Sequence, residues 1–305
     1  MKAIVVTDQA AGTAGMELVE RPDPDAARLA SLEGANYGDV VVEVHASGFT
    51  GNELEWPSTW IDRLGRDRTP SIPGHEVAGV VTSLSYGATG LSVGQRVFGL
   101  TDWTRDGTLA EYTVVEARNL APLPGDVDFT VGAGVAMTGL TAWQGLFEHG
   151  RLQAGQSVLV HGAAGAVGSM ATQLAREAGA HVIGTGRAAG RQTALDFGAH
   201  EFVDLDNDTL EDVGGVHLVF DVLGGDIQKQ SAGVIRAGGT LVTVTGPPEA
   251  RPADGLAVDA GLQEFRLTVP PRHSLLDLAR RHGQRRNSSG IRTRTSRPVT
   301  CLMAE

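Results

Sequence analysis

Cysteine is almost absent. The 305 residues contain one, Cys301, so no intramolecular disulfide can form and no cysteine-rich metal site can be built. Long apolar runs are missing too. None approaches the ~18 residues that mark a membrane-spanning helix, and the opening Met1-Lys2-Ala3-Ile4-Val5-Val6 is too short for a secretory leader and reads as a first strand. A cytoplasmic protein without a membrane partner is the expectation. Positive charge is outweighed, with 25 Lys and Arg against 36 Asp and Glu and a net charge of −11. That balance argues against a nucleic-acid or acidic-membrane surface. Familiar hydrolase and metalloprotease signatures are absent: there is no G-x-S-x-G and no H-E-x-x-H.

What is present is an ordinary globular composition, 41% apolar and 20% charged, so global disorder is excluded. The length suffices for two domains. Up to about residue 128 the chain is β-rich, with short β-branched runs at Lys2–Val6, Met16–Glu20, Val40–Ala46, Val77–Leu84, Arg96–Gly99 and Ala110–Val115 between Gly, Pro and Asp clusters. These predict a rolled-up, barrel-like domain over 1–128. From 129 to 259 strands alternate with amphipathic segments. Strands are expected at Ser157–His161, His181–Thr185, Glu201–Asp204, Leu218–Phe220 and Thr240–Thr245, and helices at Gly165–Ala178, Arg191–Phe197 and Ile227–Ile235. Such alternation predicts an α/β domain with a doubly wound parallel sheet. All-apolar runs such as Val158-Leu159-Val160 suit strands buried on both faces.

The strongest chemical signal joins that run to the next helix: His161-Gly162-Ala163-Ala164-Gly165-Ala166-Val167-Gly168. A pyrophosphate needs a tight turn, a closely approachable backbone and a helix N-terminus with free N–H groups. Gly162 supplies the turn, Gly165 the approach and Gly168 the close helix–sheet contact, with Ala163, Ala166 and Val167 between them. No Lys follows, so this is not a P-loop; a Rossmann dinucleotide site is predicted. An NAD site usually carries an acid at the end of the second strand, about 20 residues on, for the ribose 2′-hydroxyl. Here that strand ends Ile183-Gly184-Thr185-Gly186-Arg187, with no carboxylate and with Arg191 close by. A guanidinium can hold a 2′-phosphate bidentately. The expected cofactor is NADP(H), bound through Arg187 and Arg191.

In the first half, Pro73-Gly74-His75-Glu76-Val77-Ala78-Gly79 is followed by Gly94-Gln95-Arg96-Val97-Phe98-Gly99; further on come Gly139-Leu140-Thr141-Ala142-Trp143, Val219-Phe220-Asp221-Val222-Leu223-Gly224-Gly225 and Ala237-Gly238-Gly239-Thr240-Leu241-Val242. With these motifs, residues 1 to about 258 resemble the medium-chain dehydrogenase/reductase superfamily, in its zinc-independent quinone oxidoreductase (zeta-crystallin-like) branch. The resemblance implies a GroES-like first domain, a homodimer formed through sheet edges near Leu241–Val244, and Thr50 and Asn52 on the loop that faces the nicotinamide as catalytic residues. It also carries Thr141, Val222 and Gly246 to the cofactor. Zinc relatives hold their metal between an upstream cysteine, the His of Gly-His-Glu and a downstream cysteine. Those cysteine positions fall here at about Thr50 and near Met137. His75 and Glu76 alone do not make a zinc site, so His75 is read as a structural or pocket-edge imidazole. Without a Lewis acid, the accessible electrophiles are quinones and α,β-unsaturated carbonyls, whose charge is delocalised. Trp56, Trp60 and Trp103 could line a pocket for a flat substrate or simply pack.

The ending departs from this pattern. From Gly261 to Glu305 there are nine Arg and three acids, a balance of +6 that leaves −17 for the rest, and Arg285–Arg297 has one apolar residue, Ile291. Such a segment cannot build a core. It reads as an atypical, basic, mostly disordered tail over 260–305, left by an altered reading frame. The alternatives to an active reductase are therefore a non-catalytic NADPH-sensing or nucleic-acid-binding relative, and an inactive, frame-altered one. The cofactor reading makes a prediction. Arg187→Ala should weaken NADPH binding by tenfold or more, on the order of the loss of a charge-assisted pair, and leave NADH nearly unchanged. Equal losses in a titration with both cofactors would refute it.

Overall fold

The computed structural model describes residues 1–24, 37–50, 52–249 and 255–259. The basic tail expected over 260–305 lies outside them. The chain divides into two compact units, one from Met1 to Met137 and the other beginning at Thr138.

The first unit is built from antiparallel strands. β1 (Lys2–Val5) pairs with β2 (Glu17–Glu20), and β3 (Asp39–Gly48), β4 (Glu76–Leu84), β5 (Arg96–Leu100), β6 (Tyr112–Glu116) and β7 (Leu120–Pro122) form one sheet in the order β6-β3-β4-β5-β7. Val40, Val42, Val77, Val81, Val97, Val115 and Leu120 bury one face as a continuous core. All but Leu120 are β-branched residues on a pleated surface, where their stiff side chains pack well. A smaller cluster of Ala3, Val5, Ile72, Leu109 and Ala110 seals the first strand. A one-turn helix, α1 (Pro57–Trp60), follows the loop that carries Thr50 and Asn52.

Helix α2 (Phe129–Trp143) was not legible as such in the sequence. Its text, FTVGAGVAMTGLTAW, is apolar on every side and rich in Gly, Val and Thr, so it has neither an amphipathic stripe nor strong helix formers.

The second unit holds β8 (Ser157–Val160), α3 (Ala166–Glu177), β9 (His181–Gly186), α4 (Arg191–Asp196), β10 (Glu201–Asp204), β11 (Val216–Asp221), α5 (Gly225–Ser231), β12 (Ile235–Thr243) and β13 (Leu256–Asp259). Among the described residues its six strands are all parallel, in the order β10-β9-β8-β11-β12-β13. Numbered from the first, that is 3-2-1-4-5-6, the doubly wound arrangement in which the order of the strands reverses between β8 and β11. Leu159, Ile183, Val219 and Leu241 fill the sheet, packed with Leu210, Val216 and Val234.

Two expectations need correction. Leu241–Val244 is no free edge, because β12 is paired on both sides, with β11 through Leu241↔Val219 and with β13 through Leu241↔Ala257. That edge was expected from the family resemblance alone; the apolar run 241–244 is what a strand buried between neighbours requires. Strand β12 also starts at Ile235, where a helix was expected to end, since Ile235 pairs with Val216 across a register shift. Phe220, fully buried at the centre of this sheet, packs against Gly145 so tightly that a Cβ there would lie 2.2 Å from the ring. Phe220→Ala should therefore cost about 3–5 kcal/mol in urea unfolding; a loss below ~1 kcal/mol would mean that the surroundings collapse into the gap.

Candidate active site

The crevice of a doubly wound sheet lies beyond the carboxyl ends of its strands, at the reversal point. Here that places the loop after β8 opposite the loop after β11. His161 N–H bonds the Phe220 carbonyl at 3.0 Å, and the chain then turns sharply at Gly162, whose φ of +64° suits a residue without a Cβ. Gly165 N–H closes the turn on Gly162 O at 2.8 Å, and Gly165 becomes the cap of α3, with no side chain to satisfy the helix's first N–H groups. Gly168 lies against the turn itself: a Cβ there would stand 2.1 Å from the Gly162 carbonyl oxygen. The helix tip thus presents the N–H groups of Ala166, Val167 and Gly168 beside the strand end, a cradle suited to an anion. Ala163 is buried beneath it, and Val222 borders Gly162, with its methyl 2.9 Å from where a Cβ would sit.

The two arginines differ. Arg187, exposed at the end of β9, forms no ion pair with another of the described residues. Arg191 is held back, donating to the Phe202 carbonyl at 3.0 Å, lying 3.6 Å from Asp208 and stacking over the Phe202 ring at 5.1 Å. Thr141 is buried in α2, and Gly246 follows β12 in a turn with φ +141°.

In the first unit, Thr50 Oγ1 lies 3.8 Å from Met137 Sδ. The hydroxyl of Thr50 and the thioether of Met137 are thus neighbours, and neither is a usual zinc ligand. His75 is buried, with Nδ1 3.0 Å from Thr101 Oγ1, and its Nε2 has no hydrogen-bond partner but lies 3.6 Å from Glu53 Oε1. Trp103 packs edge-on to His75 at 4.8 Å and to Trp56 at 5.1 Å, and its own indole N–H is buried without a partner. Trp60 stands outside this cluster and donates to Leu54 O at 2.8 Å. Asn52 is exposed at the head of the turn carrying Glu53. No group of three His, Cys, Asp or Glu suited to a metal occurs among the described residues, and none of their helices is long and apolar enough to cross a membrane.

Comparison with known proteins bears on this arrangement. The Alcohol dehydrogenase GroES-like domain matches residues 36–125 and the family described as Zinc-binding dehydrogenase matches 166–268. The quinone oxidoreductase of Rattus norvegicus is 32% identical over 73% of this chain and 70% of its own. The chain belongs to the quinone oxidoreductase branch of the medium-chain dehydrogenase/reductase superfamily. Solved mycobacterial structures agree. One, a quinone oxidoreductase, is 26% identical with a TM-score of 0.75, covering 93% of this chain and 89% of that one. Another, complexed with NADPH, is 25% identical with a TM-score of 0.72, covering 95% and 90%.

Within this quinone oxidoreductase fold stand two buried carboxyls, Glu76 of the Gly-His-Glu motif and Glu53, which gave no signal in the sequence. Glu53 is fully buried, accepts from the Gly74 N–H and, at 3.5 Å, from Thr50 N–H, and burial pushes it up to about 7. Glu76 accepts from Met137 N–H at 2.9 Å and is also pushed up to about 7, mainly by burial and further by Glu53. His75 moves the other way, down to about 3, through burial and the nearby Arg68. In sequence Glu53 looks like one of two surface acids in Glu53-Leu54-Glu55; only Glu55 is exposed.

A raised carboxyl favours the folded state fully below its unfolded pKa, and that stability is lost as pH climbs through the folded value. For Glu53 the window runs from 4.5 to about 7. Depressed His75 contributes in the opposite sense, its share growing as pH rises from about 3 to 6.5. Comparing Glu53→Gln with the parent protein cancels the His75 and most of the Glu76 contribution. The variant's stability relative to the parent should rise between pH 5 and 7.5, by up to about 3 kcal/mol. A pH-independent difference in denaturant midpoint would show that Glu53 does not titrate there.

Proposed function

We propose that this protein is a zinc-independent, NADPH-dependent reductase that delivers a hydride to a quinone or an α,β-unsaturated carbonyl. The observation that carries the reading is the contact of Thr50 with Met137 at 3.8 Å. Where a zinc dehydrogenase needs two thiolates, this chain has a hydroxyl and a thioether. Such a set is a poor match for a tetrahedral zinc site. A conjugated acceptor spreads the incoming charge and needs only hydrogen-bond donors, a role open to Thr50 and Asn52.

For the cofactor, the cradle of Gly162, Gly165 and Gly168 accommodates a pyrophosphate, and the unpaired Arg187 suits a 2′-phosphate better than a 2′-hydroxyl. Arg191 would act from behind it, fixing the loop through Phe202 and Asp208. When bound, the nicotinamide supplies the hydride; the protein supplies orientation and a dry environment. The NADPH complex of the mycobacterial relative and the likeness to the quinone oxidoreductase of Rattus norvegicus support this reading. Trp56 and Trp103 are the aromatic surface we assign to a flat acceptor, and Trp60 a supporting role.

Purified protein with NADPH and a panel of quinones and enones should consume NADPH, followed by nicotinamide absorbance, at a rate unchanged by a zinc chelator. Loss of turnover on chelation, restored by zinc, would overturn the metal-free mechanism. Binding without oxidation would make the protein a sensor.

A further inference from the structure

Beneath the cradle, at the carboxyl ends of the parallel strands, lies a layer of polar side chains that the chemistry above leaves unused. His161, Thr185, Asp221, Ser231 and Thr243 are all fully buried. His161 Nε2 lies 2.6 Å from Ser231 Oγ, and Ser231 Oγ donates to the Ile227 carbonyl at 2.7 Å. A carbonyl can only accept, so the serine hydrogen is committed there and its oxygen receives the His161 Nε2–H. The other ring nitrogen must then be bare in a neutral imidazole. Nδ1, 2.8 Å from Thr185 Oγ1, accepts the threonine hydrogen. Burial, which pulls His161 down to about 4, keeps the ring neutral.

Thr185 is therefore held twice. Its hydroxyl donates to His161, the residue before Gly162, and its carbonyl accepts the Ala163 N–H at 3.0 Å. Both anchors lie on the segment that forms the pyrophosphate turn, and Arg187 follows two residues later. The clamp fixes how far the guanidinium-bearing end of β9 stands from the cradle. A ligand bearing a pyrophosphate and a 2′-phosphate is recognised only if that spacing matches its own.

Resting on the NADPH reading above, we propose that Thr185, oriented by His161 and Ser231, is a positioning residue for cofactor selection: it sets the separation between the pyrophosphate and 2′-phosphate subsites. It touches neither phosphate itself. Thr185→Val keeps the volume and removes the donated hydrogen; Thr185→Ser keeps the hydroxyl.

The test is the ratio of the Kd values for NADH and NADPH, measured by titration of the full chain. The parent protein should favour NADPH. Thr185→Val should lower the ratio about tenfold, the effect of one buried hydrogen bond, by weakening NADPH while NADH changes little, and Thr185→Ser should restore it. A purely structural threonine would weaken both cofactors alike, and that result, or an unchanged ratio, would overturn the proposal. A parent protein with no preference for NADPH would instead defeat the cofactor reading. Nitrogen–proton correlation spectra of the parent give a second check that needs no variant. They should show His161 protonated at Nε2 alone, and a proton on Nδ1 would overturn the clamp.

Discussion

A contact that admits no side chain governs the second unit. At Gly168 the helix backbone lies against the Gly162 carbonyl with room for hydrogen but not for carbon, 2.1 Å from where a Cβ would be. Because of that contact α3 begins directly over the end of β8, and its unpaired N–H groups converge on one point. A methyl group at 168 would push the helix outward or distort the turn, and the anion site would be lost with little change to the sheet below. The parallel sheet supplies the platform. The strand reversal between β8 and β11 supplies the opening, and Val222, at the start of the second loop, forms its other wall.

The first unit solves a different problem. Glu53, His75 and Glu76 are removed from water around Thr50 and Met137. Ionised carboxylates in such a place are costly unless paired. Backbone N–H groups of Gly74 and Met137 offset part of that cost, and the remainder appears as carboxyls that stay half-protonated near neutrality. A bound cation would reverse this logic by favouring the charged forms. In the cluster as it stands, burial favours the uncharged form of each of the two carboxyls.

Much of this was legible in the sequence, and what escaped did so for physical reasons. The glycine loop could be placed because its three glycines sit between an all-apolar strand and an amphipathic helix, and most strands fell within two residues of their expected ends. Helix α2 escaped because it has no polar face to give a period. The start of β12 escaped because Gly238 and Gly239 interrupt it, and Leu241–Val244 was taken for an edge on the family resemblance, since the strand's own residues do not reveal that β13 covers it. Arg187 and Arg191, two cations four residues apart, could be ranked only once Asp208 and Phe202 were seen to occupy Arg191.

The polar layer around His161 was the least legible feature, since its members are scattered from 161 to 243 and each alone looks unremarkable. Apolar side chains could fill the same space at lower desolvation cost. They would not, however, fix direction. Apolar packing tolerates small slides between neighbouring loops, whereas a hydrogen bond loses strength steeply with misalignment. Asp221 receives the N–H groups of Leu223 and Gly224 and the amide of Gln228, which also reaches Thr243. Gln228 Oε1 accepts Glu249 N–H in turn, beside the turn that carries Gly246. The loops after β8, β9, β11 and β12 are thereby tied through directional bonds, and each bears a residue assigned to the cofactor. A site that must hold a pyrophosphate and a 2′-phosphate at a fixed spacing needs that kind of restraint, and a network of committed, directional bonds supplies it.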